Sequence, residues 1–161
     1  MRIINDSRWT FTLLTLGLAG CLICGFGCSK KASEAKAGSD ADIHWLTSLD
    51  EAVALAEKQN KPIMIDFMAE WCPPCKKMEK TTFNQPDVIE KAKSFVTLRI
   101  DVDEQAEVAN KYHCNAEKYG GIGIPNILFM THKEKRLKHI IGYQAPESLV
   151  AVMDSVLTMM E

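Results

Sequence analysis

The chain has 161 residues, 47% of them apolar and 25% charged, with 19 basic and 21 acidic side chains and a net charge of −2. That length fits one domain with additional segments. The near-neutral balance excludes an electrostatic grip on nucleic acid, which needs a basic surface.

Arg2 and Arg8 precede an apolar run from Phe11 to Gly27, the charged and apolar regions of an export signal. Within it, Leu18-Ala19-Gly20-Cys21 resembles a bacterial lipobox, in which the cysteine is lipidated and becomes the first mature residue. Cys21 is the expected lipidation site. Three alternatives stay open. The run 9–27 is about long enough for an uncleaved membrane anchor, which needs ~17–25 residues. Cys28, just before Ser29-Lys30-Lys31, could carry the lipid instead, or the signal could be cleaved in the ordinary way. Cys21 and Cys24 also share a CxxC spacing, read as coincidence inside an apolar signal. Every version places the rest of the chain outside the cytoplasm, in an oxidising compartment; the expected location is the cell envelope or periplasm, with membrane association through the N-terminus. Residues 29–42 are small, charged and polar, and read as a flexible linker. The folded domain is expected over 43–161.

Within that domain a short strand is expected over 43–46. Ser48-Leu49-Asp50-Glu51 is a capping box, and Ala52, Leu55 and Ala56 recur at helical spacing, so a helix is expected over about 49–60. After Pro62, residues 63–68 form a short apolar run suited to a strand buried on both faces. Pro73 and Pro74 can open a helix that carries Lys76 to Lys80, since proline is tolerated in the first turn. Asp87 can cap a short helix through Lys93. Residues 95–100 read as a second central strand, and a polar helix follows over about 103–112. Residues 127–130 and 137–141 flank a charged turn and read as a hairpin. Pro146 opens a last amphipathic helix with Leu149, Val150, Met153, Val156 and Leu157 on its apolar face. This order implies an α/β fold, a central mixed sheet with helices on both faces.

The spacing of the six cysteines does not suggest the disulfide framework of a small secreted domain. Three lie in the apolar N-terminal run, and Cys72, Cys75 and Cys114 lie in the body. Cys72 and Cys75, two residues apart at a strand-to-helix junction, make a plausible redox pair. At the helix N-terminus, free N–H groups and the macrodipole lower the pKa of a thiol, and the thiolate is the attacking species in disulfide exchange. Cys75, one turn on, can resolve the mixed disulfide. Pro73 and Pro74 remove two N–H donors and stiffen the loop. A zinc site completed by His113-Cys114 is a weaker reading, since adjacent residues rarely point at one metal and structural zinc takes four ligands. Covalent haem needs a histidine where Lys76 stands. A purely structural bridge would close a tiny loop with little stabilisation. No metal and no cofactor are expected.

The stretch Asp66-Phe67-Met68-Ala69-Glu70-Trp71-Cys72-Pro73-Pro74-Cys75-Lys76 is similar to the active-site stretch of the thioredoxin superfamily. Tyr119-Gly120-Gly121-Ile122-Gly123-Ile124-Pro125 is similar to that family's second hallmark, which ends in a cis-proline, and Gly142 also fits. The resemblance covers about 43–161. The segment around Met78–Phe83 and Pro86-Asp87-Val88 looks most like the C-terminal thioredoxin domain of DsbD and its small envelope relatives. The resemblance implies a thioredoxin-like fold and roles for particular residues. Cys72 would be the exposed nucleophile, Cys75 the buried resolving thiol, and the two would form the redox disulfide. Pro125 would be cis beside it, and the Ile124 backbone would pair with an extended substrate segment.

Asp66 stands inside an apolar strand, where a carboxylate is costly unless protonated or paired. Its pKa should rise through desolvation, which suits a base that accepts the Cys75 proton; the bland alternative is an edge position in water. Trp71 is read as a partner-facing surface beside the thiol. The connection 113–118 is longer than the family's usual one, which leaves Cys114 as an inert, partly buried thiol or a third redox thiol. Asn126, where thioredoxins often have threonine, points to an altered substrate groove. His44, His132 and His139 receive no role.

The expected activity is exchange of the Cys72–Cys75 dithiol or disulfide with protein substrates in the envelope. The expected direction is reduction, with electrons from a membrane donor protein. The alternatives are a disulfide oxidant or isomerase, and a tethered copper-binding or chaperone module that uses the cysteines as soft ligands.

Overall fold

The computed structural model describes residues 42–160. The expected signal or anchor over 1–28, with Cys21, Cys24 and Cys28, lies outside the described residues, as does the expected linker except for Asp42.

Helix α1 (Leu49–Gln59) starts where the Ser48 hydroxyl accepts the Glu51 N–H at 3.4 Å. It ends at Asn60, whose left-handed φ of 51° asparagine tolerates. Strand β1 (Ile63–Met68) follows, then α2 (Pro73–Thr81) and α3 (Pro86–Ala92). Gln85 is the N-cap of α3, and Asp87, expected as the cap, sits inside its first turn because Pro86 opens the helix. Strand β2 (Val96–Asp101) leads to α4 (Ala106–Lys111), shorter than the expected 103–112. The Asp101 carboxylate accepts the N–H groups of Asp103 and Glu104 at 2.8 and 3.4 Å, which holds that stretch as a turn. Strands β3 (Asn126–Met130) and β4 (Arg136–Ile141) form the hairpin, and α5 (Pro146–Thr158) closes the domain.

The sheet order is β2-β1-β3-β4, with β1 parallel to β2 and antiparallel to β3, so the sheet is mixed. The expected strand over 43–46 is reduced to a single parallel bridge, Leu46 to Leu98, along the outer edge of β2. Two backbone bonds of 2.9 Å hold it, from Leu46 N to Thr97 O and from Arg99 N to Leu46 O.

Alternation along the strands divides the core. Ile63, Ile65 and Phe67 share one face with Val96, Leu98, Ile100, Leu128 and Met130, covered by Ala52 and Ala56 of α1 and Ala109 of α4. Met64, Ile127 and Phe129 share the other with Met78 of α2, Val88 of α3, and Leu149, Met153 and Val156 of α5. This is the thioredoxin-like arrangement, with helices on both faces. β1 is buried from Ile63 to Phe67 because it lies inside the sheet and is covered twice. The strand that leads into Cys72 is therefore enclosed along almost its whole length.

Candidate active site

The chain leaves β1 and turns tightly, with Cys72 N donating to Ala69 O at 3.0 Å. Cys72 is the N-cap of α2, in extended conformation, and Pro73 and Pro74 occupy the first two helical positions. Neither proline has an N–H to donate. The Cys75 N–H points at the Cys72 sulfur at 3.2 Å, and the two cysteines are disulfide-bonded with their Cα atoms 5.3 Å apart.

Cys72 is only 2% exposed and Cys75 5%. The expectation of an exposed nucleophile is corrected here. Both sulfurs belong to one buried cluster with Tyr112, Cys114 and Ala116, and Ile124 packs against it. Cys114 and Ala116 of the long connection before Pro125 belong to that cluster.

Asp66 is 2% exposed, so the reading of an edge position in water is excluded. Sheet register sets it between Arg99 of β2 and Ile127 of β3, on the face covered by α2. The Arg99 Nε donates to its Oδ2 at 3.1 Å, and the Arg99 Nη1 reaches the Oε1 of Glu79 on α2 at 3.3 Å. Burial pushes the Asp66 carboxyl up and Arg99 pulls it partly back, leaving it at about 6. Sequence reasoning missed Arg99 and Glu79. The signal for Glu79 was its position one turn beyond Cys75 on α2; Arg99 could be found only once the β1–β2 register was known.

The Ile124–Pro125 peptide is cis, and the Pro125 carbonyl accepts the Gly142 N–H at 2.7 Å. Asn126 does not face a substrate groove. It is fully buried, and its side-chain amide donates to Cys114 O at 3.0 Å and Gly123 O at 2.8 Å. The amide thus ties both ends of the segment before the cis-proline. Gly123 has a φ of +103°, and a Cβ on Gly121 would lie 2.1 Å from Asn115 O, so this segment requires glycine at both places. His139 also stands here, half-buried, with its Nε2 3.3 Å from Asn126 Oδ1 and 3.5 Å from Cys114 Sγ. Burial pushes the Cys114 thiol up to about 12, the character of an inert buried thiol. His113 is exposed while Cys114 is buried, so the two diverge and cannot serve one metal.

Trp71 is 45% exposed. Its Nε1 donates to Asp103 Oδ2 at 2.5 Å, and the Tyr119 hydroxyl donates to the other oxygen of the same carboxylate. The Lys118 ammonium sits 3.8 Å from the Trp71 ring centroid. Trp71 and Ile124 line a groove of about 350 Å3 with Ala116, Glu117, Lys118 and Gly123. A sulfur held at a helix N-terminus, a second thiol one turn away, a buried carboxyl and an adjacent open groove can together carry dithiol–disulfide exchange on a polypeptide.

Comparison with known proteins agrees with this geometry. Residues 44–131 match the family model described as thioredoxin-like. The chain is 35% identical over 102 residues to the thiol:disulfide interchange protein DsbD of Klebsiella pneumoniae, covering 61% of this chain and 16% of that protein. It is 38% identical over 102 residues to DsbD of Escherichia coli, covering 61% and 17%. Among solved structures, the reduced C-terminal domain of Neisseria meningitidis DsbD superposes with a TM-score of 0.53 at 27% identity, covering 66% of this chain and 91% of that domain. The match spans about a sixth of the length of these two DsbD proteins.

Because the folded carboxyl of Asp66 titrates at about 6 rather than at its ordinary 3.8, the folded state holds an extra proton between those values. Stability from the protonated form is complete below about pH 4 and is lost as pH rises through about 6. Asp66→Asn removes this dependence. Denaturant unfolding across that range is expected to show the variant gaining on the wild type by on the order of 2 kcal/mol, with a constant difference at higher pH. A difference independent of pH throughout would contradict the assignment.

Proposed function

The chain belongs to the thioredoxin-like family, and on that premise we propose that it is a thiol–disulfide oxidoreductase acting on proteins in the cell envelope, with reduction as its direction. The observation that carries this reading is the Cys72–Cys75 disulfide at the start of α2, on a domain that resembles part of DsbD.

In the reducing direction the cycle starts from the dithiol. The Cys72 thiolate attacks one sulfur of a substrate disulfide; a Cys72–substrate bond forms and the substrate's own S–S bond breaks, releasing one substrate thiolate. Cys75 then gives up its proton and attacks Cys72 Sγ. The Cys72–Cys75 bond forms, the mixed disulfide breaks, and the second substrate thiol leaves. Asp66 is the proposed acceptor of the Cys75 proton, supported by its burial and its carboxyl at about 6, near the operating range of a base. Two electrons pass to the substrate, so a dithiol donor must restore Cys72 and Cys75. A membrane protein is proposed in that role.

Trp71 and Ile124 are proposed to contact substrate through the groove they line. Pro125 is proposed to set the Ile124 backbone as a template for an extended strand. The N-terminal residues are proposed to export the chain and hold it at a membrane, with Cys21 as the lipidated residue, residues 1–28 as signal or anchor, and 29–42 as linker to a thioredoxin-like domain over 43–161.

Two measurements test this. Cys75→Ser is expected to accumulate covalent Cys72–substrate complexes, visible on non-reducing gels, and Cys72→Ser to form none; turnover of a protein disulfide is lost in both. Equal trapping by both variants would sink the assignment of nucleophile. Equilibration with glutathione is expected to give a reduction potential near the thioredoxin end of the range, about −270 mV; a value near −120 mV would reverse the direction.

A further inference from the structure

The segment ahead of the cis-proline is held through one buried side chain, and that side chain is held in turn from β4. Apart from Trp71, every residue lining the groove belongs to 116–124. Within the segment, Asn115 O accepts the Gly123 N–H at 3.1 Å, and Asn115 Oδ1 accepts the Ala116 N–H at 2.8 Å. Its ends meet on Asn126, which is fully buried. A side-chain amide there has two N–H donors and one oxygen to satisfy. The donors serve Cys114 O at 3.0 Å and Gly123 O at 2.8 Å, which leaves the oxygen facing His139 Nε2 at 3.3 Å.

Strand register accounts for this meeting. His139 of β4 pairs with Leu128 of β3, and Asn126 stands two residues before Leu128 on the same face. The imidazole therefore reaches Asn126 along the diagonal between strands. The amide oxygen can only accept, so Nε2 carries the hydrogen between them. The neighbouring Cys114 Sγ, 3.5 Å from Nε2, agrees with this, since that thiol donates to Tyr112 O at 3.4 Å.

We infer that His139 is a positioning residue for substrate binding: its Nε2–H fixes which way the Asn126 amide faces, and the amide holds the segment that shapes the groove and leads to the Ile124 backbone. This rests on the reading of Ile124 as the template for an extended substrate segment.

The two ends of an amide have nearly the same shape, so a donor on one side decides which end faces the loop. A reversed Asn126 would aim its oxygen at two carbonyls, and both loop contacts would become repulsive. Without the imidazole, the Asn126 oxygen would be buried and unpaired, which costs free energy in the orientation the loop needs. The loss would fall on Gly123 and Cys114, and so on the backbone beside Ile124. Cys72 Sγ takes its hydrogen bond from Cys75 N on α2, outside this chain of contacts. Reaction with a small disulfide should then proceed as before.

The test separates polypeptide binding from thiol chemistry. Insulin serves as the disulfide substrate, and dithiothreitol supplies the two electrons that return Cys72 and Cys75 to the dithiol after each turn. Ellman's reagent, added to the reduced protein, is the small disulfide that needs no template. His139→Phe keeps a ring and removes the donor. It is expected to raise KM for insulin about 5-fold, the worth of one hydrogen bond, with kcat and the Ellman rate unchanged. His139→Gln, which restores a side-chain N–H, is expected to recover most of that KM. Asn126→Ala is expected to raise KM at least as far, and adding His139→Phe to it is expected to change nothing further.

An unmoved KM in His139→Phe beside a raised one in Asn126→Ala overturns the inference and leaves the template reading standing. An unmoved KM in both overturns both. Equal losses in insulin turnover and Ellman rate also overturn the inference, since His139 would then act on the thiols. So does a His139→Gln no better than His139→Phe, which would reduce the residue to packing. Should Asn126→Ala fail to fold, the two His139 variants decide alone.

Discussion

The Cys75 amide that donates to the Cys72 sulfur depends on α2 beginning at one particular residue. A helix leaves its first N–H groups without intrahelical partners. Here the first two positions are proline, so the N–H of Cys75 is the first one in the helix able to serve the capping atom, and that atom is sulfur. The same N-terminus presents the positive end of the helix dipole. Both effects favour negative charge on Cys72 when the disulfide opens. They operate because β1 delivers the chain to this point, and β1 is fixed by neighbours on both edges and by helices on both faces.

A second constraint lies within β1. A carboxyl in the middle of an enclosed strand is destabilising, and the sheet register offsets this in part by placing Arg99 beside it. The pair is not neutralised by protonation alone, nor is it a simple ion pair, since the carboxyl titrates at about 6 between those limits. Strain on stability at a point that chemistry can use is the common signature of a functional site. The segment ahead of the cis-proline contributes Cys114 and Ala116 to the buried cluster that holds Cys72 and Cys75, and Asn126 fixes its ends. Trp71, next to Cys72 in the chain and tied to Asp103 with Tyr119, lines a groove with Ile124.

Much of this was legible in the sequence, and the reasons for the rest are specific. The central strands, the proline-opened helices and the hairpin were written in local patterns of two and 3.6 residues. So was the elevated carboxyl, because Asp66 stands between Ile65 and Phe67. Arg99 was not legible: its meaning depends on which residue of β1 faces it, and register is a property of two strands together. Asp103 was read as helical because nothing local announced the Asp101 turn that excludes it from α4. The burial of Cys72 was not legible because the cluster it joins gathers residues distant in the chain, among them Tyr112 and Cys114. Asn126 was assigned to a groove by analogy, whereas its buried amide answers two loop carbonyls.

The most direct measurement follows the alkylation rate of Cys72 in the reduced Cys75→Ser variant as a function of pH, resolved by mass spectrometry on the peptide that contains it. A free thiol has its midpoint near 8.5. With the sulfur at the start of α2, the midpoint should fall at least about one unit lower. A midpoint at or above the free value would show that this helix terminus does not activate the sulfur, and the proposed chemistry would lose its origin.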